Sequence, residues 1–215
     1  MRAKAQLGRP VGASGAETRR RIVAATMKCV AEVGYARATI REIARMADMT
    51  SASLYNYFPN KSELIKAAVA ARTDIVMPRL RAAAEGPGNI VDRIEAVLDE
   101  SGQLMREYPD LAAFEFAIRA ENVAAPVRRK VRGQPKNPGF EAFRDIIEGV
   151  VEDACGRGEL GDHPDSRAVV AALYALVYGL TELAATLPPR DYHAALRSAK
   201  VLVRSTLFGE QPKTP

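Results

Sequence analysis

Between Thr39 and Lys61 the sequence gathers side chains that donate hydrogen bonds or carry positive charge. Hydroxyls stand at Thr39, Thr50, Ser51 and Ser53, an amide at Asn56, phenols at Tyr55 and Tyr57, and cations at Arg41 and Lys61. Ala52 lies among them and adds no bulk. Such a set suits a polyanion: hydroxyls and cations bind phosphate oxygens, and Arg or hydroxyl groups also reach base edges. It does not suit catalysis. The chain has no glycine-rich phosphate loop and no nucleophile motif. Its two histidines, His163 and His193, stand apart, one in an expected loop beside Asp162 and Pro164, the other on an expected helix surface. No catalytic residue, metal site or cofactor is expected, and an enzyme is excluded on these grounds.

Charge supports the same reading. Residues 1–61 hold eleven Lys and Arg against four Asp and Glu, a net of +7, whereas the rest of the chain is at −2. A polyanion-binding module joined to a near-neutral one is the arrangement this implies. Cys29 and Cys155 match no metal or redox spacing, and each is expected as a small buried hydrophobe. No apolar run reaches the roughly 18 residues of a membrane span, and no apolar stretch follows the basic N-terminus as a secretory signal requires. A cytoplasmic protein without a membrane partner is expected.

The elements that position the donors are helical throughout, an all-α chain. Residues 1–16 show no periodicity and are expected as a flexible basic arm. Within it, Gly8-Arg9-Pro10 is the core of a minor-groove hook without the usual preceding Arg. From Glu17, Ile22, Cys29, Val30 and Val33 recur at helical spacing, and Gly34 supplies a stop. Thr39 is an N-cap with Glu42 completing a capping box, and the short helix ends near Met46. Asp48 accepts the positive φ of a tight turn. Thr50 caps the next short helix, which ends near Phe58-Pro59, and Asn60 caps a longer one in which Pro78 marks a kink or stop. Core candidates in this part are Ile22, Val30, Ile40, Ile43, Leu54, Phe58 and Leu64. Two short helices with small Ala44 and Ala47 at their crossing form a helix-turn-helix over Thr39 to Tyr57, whose second helix begins small and polar enough to enter a major groove.

At these residues the chain resembles the TetR family of transcription regulators. The resemblance covers roughly Glu17 to Thr73 and rests on Val33-Gly34-Tyr35, on Thr39-Ile-Arg-Glu-Ile-Ala, and above all on Leu54, Tyr55, Tyr57, Phe58 and Lys61. Asp48 stands where the family usually has Gly. The resemblance implies that Thr39 caps its helix and touches a phosphate, and that Arg41 reaches a base edge or a phosphate. Thr50, Ser51, Ala52, Ser53 and Asn56 then belong to the groove-facing segment, Tyr55 and Tyr57 contact backbone or thymine methyls, and Lys61 binds phosphate. A salt bridge from Arg41 to Glu42 and core packing of Tyr57 are the alternatives. The domains expected are 17–62 for DNA binding, 63–84 as a connecting helix, 85–209 for ligand binding and dimerisation, and 210–215 as a tail.

The second part begins after Glu85-Gly86-Pro87-Gly88. Helices are expected from the cap Asn89 to a point before Pro109, from Asp110 to Val123, from Phe140 to about Ala154, from Asp165 to Leu187 and from Asp191 to Phe208. A looser stretch from Ala125 to Gly139 carries the basic run Arg128, Arg129, Lys130 and Arg132. The helix from Asp165 is apolar most of the way round and must be covered on more than one side. A second copy is the expected cover, with Val169, Leu173, Leu176, Leu180, Leu196, Ala199, Val203 and Leu207 at a homodimer interface. The resemblance also implies a cavity for an unidentified small-molecule effector, for which Met105, Phe114, Phe116, Ile118, Phe143, Ile147, Tyr174 and Tyr178 are candidate linings. The function expected is a ligand-responsive regulator, a repressor that binds a pseudo-palindromic operator in double-stranded DNA as a dimer. A constitutive or architectural DNA binder without a ligand is the alternative.

Overall fold

The computed structural model describes residues 15–124, 138–161 and 165–204, and every regular element among them is a helix. Nine helices follow in order: α1 (Gly15–Arg37), α2 (Ile40–Met46), α3 (Ser51–Tyr55), α4 (Lys61–Ala84), α5 (Ile90–Glu107), α6 (Asp110–Ala124), α7 (Pro138–Gly156), α8 (Ser166–Thr186) and α9 (Pro189–Leu202). The arm with Gly8-Arg9-Pro10, the basic run at 128–132, His163, Leu207 and the tail lie outside the described residues. Gly15 and Ala16, expected in the arm, belong to α1, where Glu17 places a carboxylate in the positive first turn.

Local signals start and stop the helices. Thr39, Thr50, Asn60 and Asn89 each accept a hydrogen bond from the backbone N–H three residues on, and Asp165 accepts from Arg167 N. Each satisfies a donor that a helix start leaves without a partner. The reciprocal capping box forms at Asn89 and Asp92. At Thr39 only the forward bond is present, because the Glu42 side chain turns to Arg45, 2.5 Å away. Gly34 breaks α1 with φ of 78°, a conformation that a Cβ would strain. Pro78 stops nothing: α4 runs through it to Ala84. Pro78 and Asp74 are both exposed, so the helix bond that proline deletes falls on the solvent side, where water serves the carbonyl.

Two cores result. The first joins α1, α2, α3 and the start of α4 around Ile22, Cys29, Val30, Ile43, Leu54, Phe58 and Leu64. Ile40, expected among them, is only partly buried. The same core takes in Phe114 and Ile118 from α6, so α6 is the beam on which α1 rests. The second core spans the rest of α4 and α5 to α9, with Leu98, Ile147, Val151 and Leu173 at its centre. Arg93 staples it, donating from Nε to the Ala84 carbonyl at 2.6 Å and from Nη1 to Asp153 at 2.8 Å. Cys155 is exposed, against expectation, because the apolar face of α7 ends at Ala154 and the last turn faces water.

Contrary to expectation, helix α8 is long and apolar enough, by length and composition, to cross a membrane. Here it is a packed helix in contact with α6, α7 and α9. Val169, Val170, Leu173 and Leu180 turn into the core, while Ala168, Ala171, Ala172, Ala175 and the larger Tyr178 stay exposed.

Candidate nucleic-acid interface

Helices α2 and α3 meet through Ala44 and Ala47, both about 1% exposed, whose methyl groups let the two backbones approach. Asp48 makes the turn with φ of 52°, the only positive φ at a non-glycine position among the described residues. Asp is one of the few side chains that tolerate it. Met49 N then donates back to the Ala44 carbonyl at 3.0 Å. Leu54 and Phe58 anchor α3 from below, each no more than 1% exposed. Burying two such side chains stabilises the unit by about 1.5–3 kcal/mol each. Everything the anchors leave outside is polar or small: Ala52, Tyr55 and Asn56 are exposed, and Ser51, Ser53 and Tyr57 are partly so.

The hydroxyls divide their work. Thr50 accepts from Ser53 N at 3.1 Å and donates to Ser53 Oγ at 2.9 Å, so its hydroxyl is spent on the cap. Ser53 accepts that bond and keeps its own proton for an outside acceptor. Thr39 accepts from Glu42 N at 3.2 Å and likewise keeps a proton to donate. Glu42 pairs with Arg45 rather than Arg41, and hydrogen bonding to Arg45 holds its carboxyl below the usual range. Arg41 is exposed beside α3 and pairs with no described carboxylate.

Lys61 sits differently from the phosphate clamp expected of it. Its ammonium donates to the Tyr35 carbonyl and lies 4.3 Å from the centre of the Tyr35 ring. Burial pushes its pKa down. The charge joins the start of α4 to the end of α1. Arg19, which counted in the sequence only as one basic residue of a run, is the matching brace. Its Nη1 donates to the Tyr57 carbonyl at 3.0 Å, and its guanidinium lies 4.1 Å from the Phe58 ring centre. The arginine stacks on the anchor of α3 while capping its end. Only contact between sequence-distant residues reveals these braces; spacing along the chain holds no trace of them.

Two cavities are lined by described residues of the body. An inner one of about 70 Å³ is lined by Met105, Phe143, Tyr174 and Tyr178 of the expected set, together with Tyr192 and Glu115. The Phe143, Tyr174 and Tyr178 rings succeed one another at 6.4 and 6.1 Å, and burial pushes the Tyr192 phenol up to about 12. The other four expected linings lie elsewhere. Phe114 and Ile118 belong to the core around α1, Ile147 is fully enclosed in the body core, and Phe116 is 39% exposed on the outside of α6. The reason is one of phase: on a helix gripped from two sides, one apolar stripe serves α1 and another the body. A second cavity of about 290 Å³ lies between α1, α4 and α6, with Phe114 in its wall.

The expected dimer residues also sit differently. Val169, Leu173, Leu180, Leu196, Ala199 and Val203 are turned into the core of their own chain, and Leu176 is half-buried. An all-round apolar helix does not declare in sequence which side its own chain covers. Val201 and Leu202 are exposed on α9 beyond the exposed alanines of α8.

Residues 22–68 match the profile of the bacterial regulatory proteins of the tetR family. The chain is 32% identical over 107 residues to the transcriptional repressor KstR of Rhodococcus jostii, covering 47% of this chain and 49% of that protein. The KstR of Mycolicibacterium smegmatis is 29% identical over 106 residues, covering 47% and 52%. The chain thus spans about half the length of these curated relatives. The regulator AqdR of Rhodococcus erythropolis is 25% identical over 184 residues, covering 85% and 83%. Among solved structures, FadR of Bacillus subtilis in complex with stearoyl-CoA superposes with a TM-score of 0.69 at 16% identity, covering 86% of this chain and 97% of that one. AibR in complex with isovaleryl coenzyme A and operator DNA gives 0.69 at 17%, covering 91% and 100%. At such identities these two report on fold alone. The match to the tetR family of bacterial regulatory proteins lies on α1 to α4, and the fold shared with the two solved structures extends through α9.

Proposed function

We propose that this protein is a DNA-binding transcription regulator that acts in the cytoplasm as a homodimer and answers to a small molecule, and that it is a repressor. The observation that carries the reading is the outer surface of α3. A helix anchored by Leu54 and Phe58 presents Ser51, Ala52, Ser53, Tyr55 and Asn56 outward, with Arg41 and the Thr39 hydroxyl beside it. That surface is narrow and free of apolar bulk, as a helix entering the major groove must be. In this reading Arg41 and Thr39 touch phosphate or base edges, Tyr55 and Tyr57 contact backbone or thymine methyls, and Lys61 together with Arg19 fixes α3 in place. DNA-binding relatives support it.

The homodimer is assigned to the outward side of α8 and α9. Ala168, Ala172, Ala175 and Gly179 form one helical stripe, bordered by half-buried Leu176 and by exposed Val201 and Leu202. Two copies joined there would carry two α3 helices, and a pseudo-palindromic operator with half-sites ~34–36 Å apart follows. Residues 17–62 are assigned to DNA binding, 63–84 to the connection, and 85–209 to dimerisation and sensing. Genomic fragments selected on the purified protein test the reading. A shared inverted repeat is the expected result, bound with an affinity that falls steeply with salt. Fragments without common sequence would leave an architectural role instead. Ala172→Glu should give a monomer in sedimentation and weaken operator binding; a persistent dimer would place the interface elsewhere.

A further inference from the structure

Two cavities share three wall residues, Arg72, Val76 and Leu111. Arg72 is unusual among them. It is 6% exposed, in an apolar wall, and its Nε lies 2.7 Å from Oε1 of Glu115, itself 5% exposed. Despite that ion pair, Arg72 Nε is a buried donor with no hydrogen-bond partner among the described residues. Gly139 provides the room for this guanidinium, since a Cβ there would overlap Nη2. A buried guanidinium has five N–H groups, and leaving one without an acceptor is costly. An anionic group entering from a cavity would supply the missing acceptor.

The two cavities differ in what they can hold. About 70 Å³ is less than half of the ~150 Å³ apolar cavity that takes a benzene. The second, at about 290 Å³, reaches the lower bound of roughly 300 Å³ for small-molecule sites. Its walls are Met27 of α1, Ile75 and Val76 of α4, and Leu111 and Phe114 of α6. Large apolar side chains also mark its mouth: Ile75 is 39% and Tyr108 is 41% exposed. The charges at the rim are engaged or solvated. Glu107 is held by Arg79, Lys28 faces Glu32 at 3.9 Å, and Asp110 lies in the exposed first turn of α6. The positive charge buried in the wall is therefore that of Arg72.

We propose that the cavity between α1, α4 and α6 binds a small apolar anion, its carboxylate on Arg72 and its hydrocarbon body among Met27, Ile75, Leu111 and Phe114. The site lies under α1 itself, at the joint between the two cores. A ligand there bears directly on the helix whose Arg19 braces α3. Its regulatory meaning rests on the function proposed above, but binding does not depend on it.

The chain contains no Trp, so Ile75→Trp installs a single indole at the cavity mouth. Titration with octanoate should shift its fluorescence saturably, and 1-octanol should bind at least tenfold more weakly. Calorimetry on the unsubstituted chain with the same two probes should give the same order. In the Ile75→Trp background, Arg72→Met with Glu115→Gln removes both buried charges together, and should bring the two affinities to within twofold. Equal affinities for octanoate and octanol in the parent, or no saturable binding of octanoate by either method, would overturn the site. Operator binding is measured separately. Octanoate bound with operator affinity unchanged keeps the site and removes its regulatory role, whereas absent octanoate binding with operator affinity intact removes the site alone.

Discussion

The N-terminal unit around α1 to α3 and the body are both helical, but they hold their helices by different means. Around α2 and α3 the helices are seven and five residues long. Such lengths are far too short to persist alone. They are held by a cap at each start, by a left-handed Asp48 between them, and by cationic braces from Arg19 and Lys61. In the body the helices run from 14 to 24 residues, and breadth of apolar contact replaces local devices. The contrast teaches that the first unit is specified by residues near in sequence and the second by faces that find each other across it. Helix α6 is where the two meet, lending Phe114 and Ile118 to one core and Leu111 to the other.

Cutting that link should have the largest effect. Phe114→Ala leaves a hole between α1 and α6 and should destabilise the protein by about 3–5 kcal/mol in denaturant titrations. Amide exchange in α2 and α3 should rise along with that in α1. If exchange rises in the body alone, α6 does not support the first unit. Next comes the staple of the body: Arg93→Met removes charged hydrogen bonds to Ala84 and Asp153, worth about 1.5–3 kcal/mol. Chemical denaturation would read that loss, which should leave α3 protected from exchange. A smaller loss, about 1 kcal/mol, is expected for Thr50→Ala, whose hydroxyl caps α3 and bonds Ser53. It should lower operator affinity more than stability, because the cap sets the pose of α3.

The smallest effect is electrostatic. Hydrogen bonds from Arg79 and Gln103 hold the Glu107 carboxyl at about 2, against an ordinary value of 4.5. A carboxyl whose folded pKa is depressed lends stability that is fully present above 4.5. That stability fades as the pH falls through the window from 4.5 to about 2. Glu107 is exposed and Arg79 partly so, and the contribution is slight. Thermal melts of Arg79→Met should run closer to the parent at pH 2.5 than at pH 6. A gap that widens on acidification would contradict the assignment.

What was legible in the sequence follows the same division. Thr39, Thr50, Asn60 and Asn89 announced their helix starts because a cap acts within three residues. Asp48 announced its turn because few side chains accept positive φ. The facing of α8 was not legible, since Leu176 and Leu180 are equally apolar and only the surroundings tell which is buried deeper. Nor was the enclosure of Arg72 and Glu115, charged residues that sequence periodicity places at the surface by default. The inward turn of Lys61 depended on Tyr35, 26 residues away, and no local pattern links the two.

The proposed function sets operator DNA against the outer surface of α3. Ala52 is exposed at its middle and supports nothing in the core, so Ala52→Glu places a negative charge against the phosphates without disturbing the fold. Fluorescence anisotropy with a selected operator fragment, at two salt concentrations, tests that placement most directly. The expected result is a melting temperature unchanged from the parent and an affinity reduced by at least about tenfold, as for the loss of a single good base or phosphate contact. Parental affinity in the variant, at both salt concentrations, would contradict it.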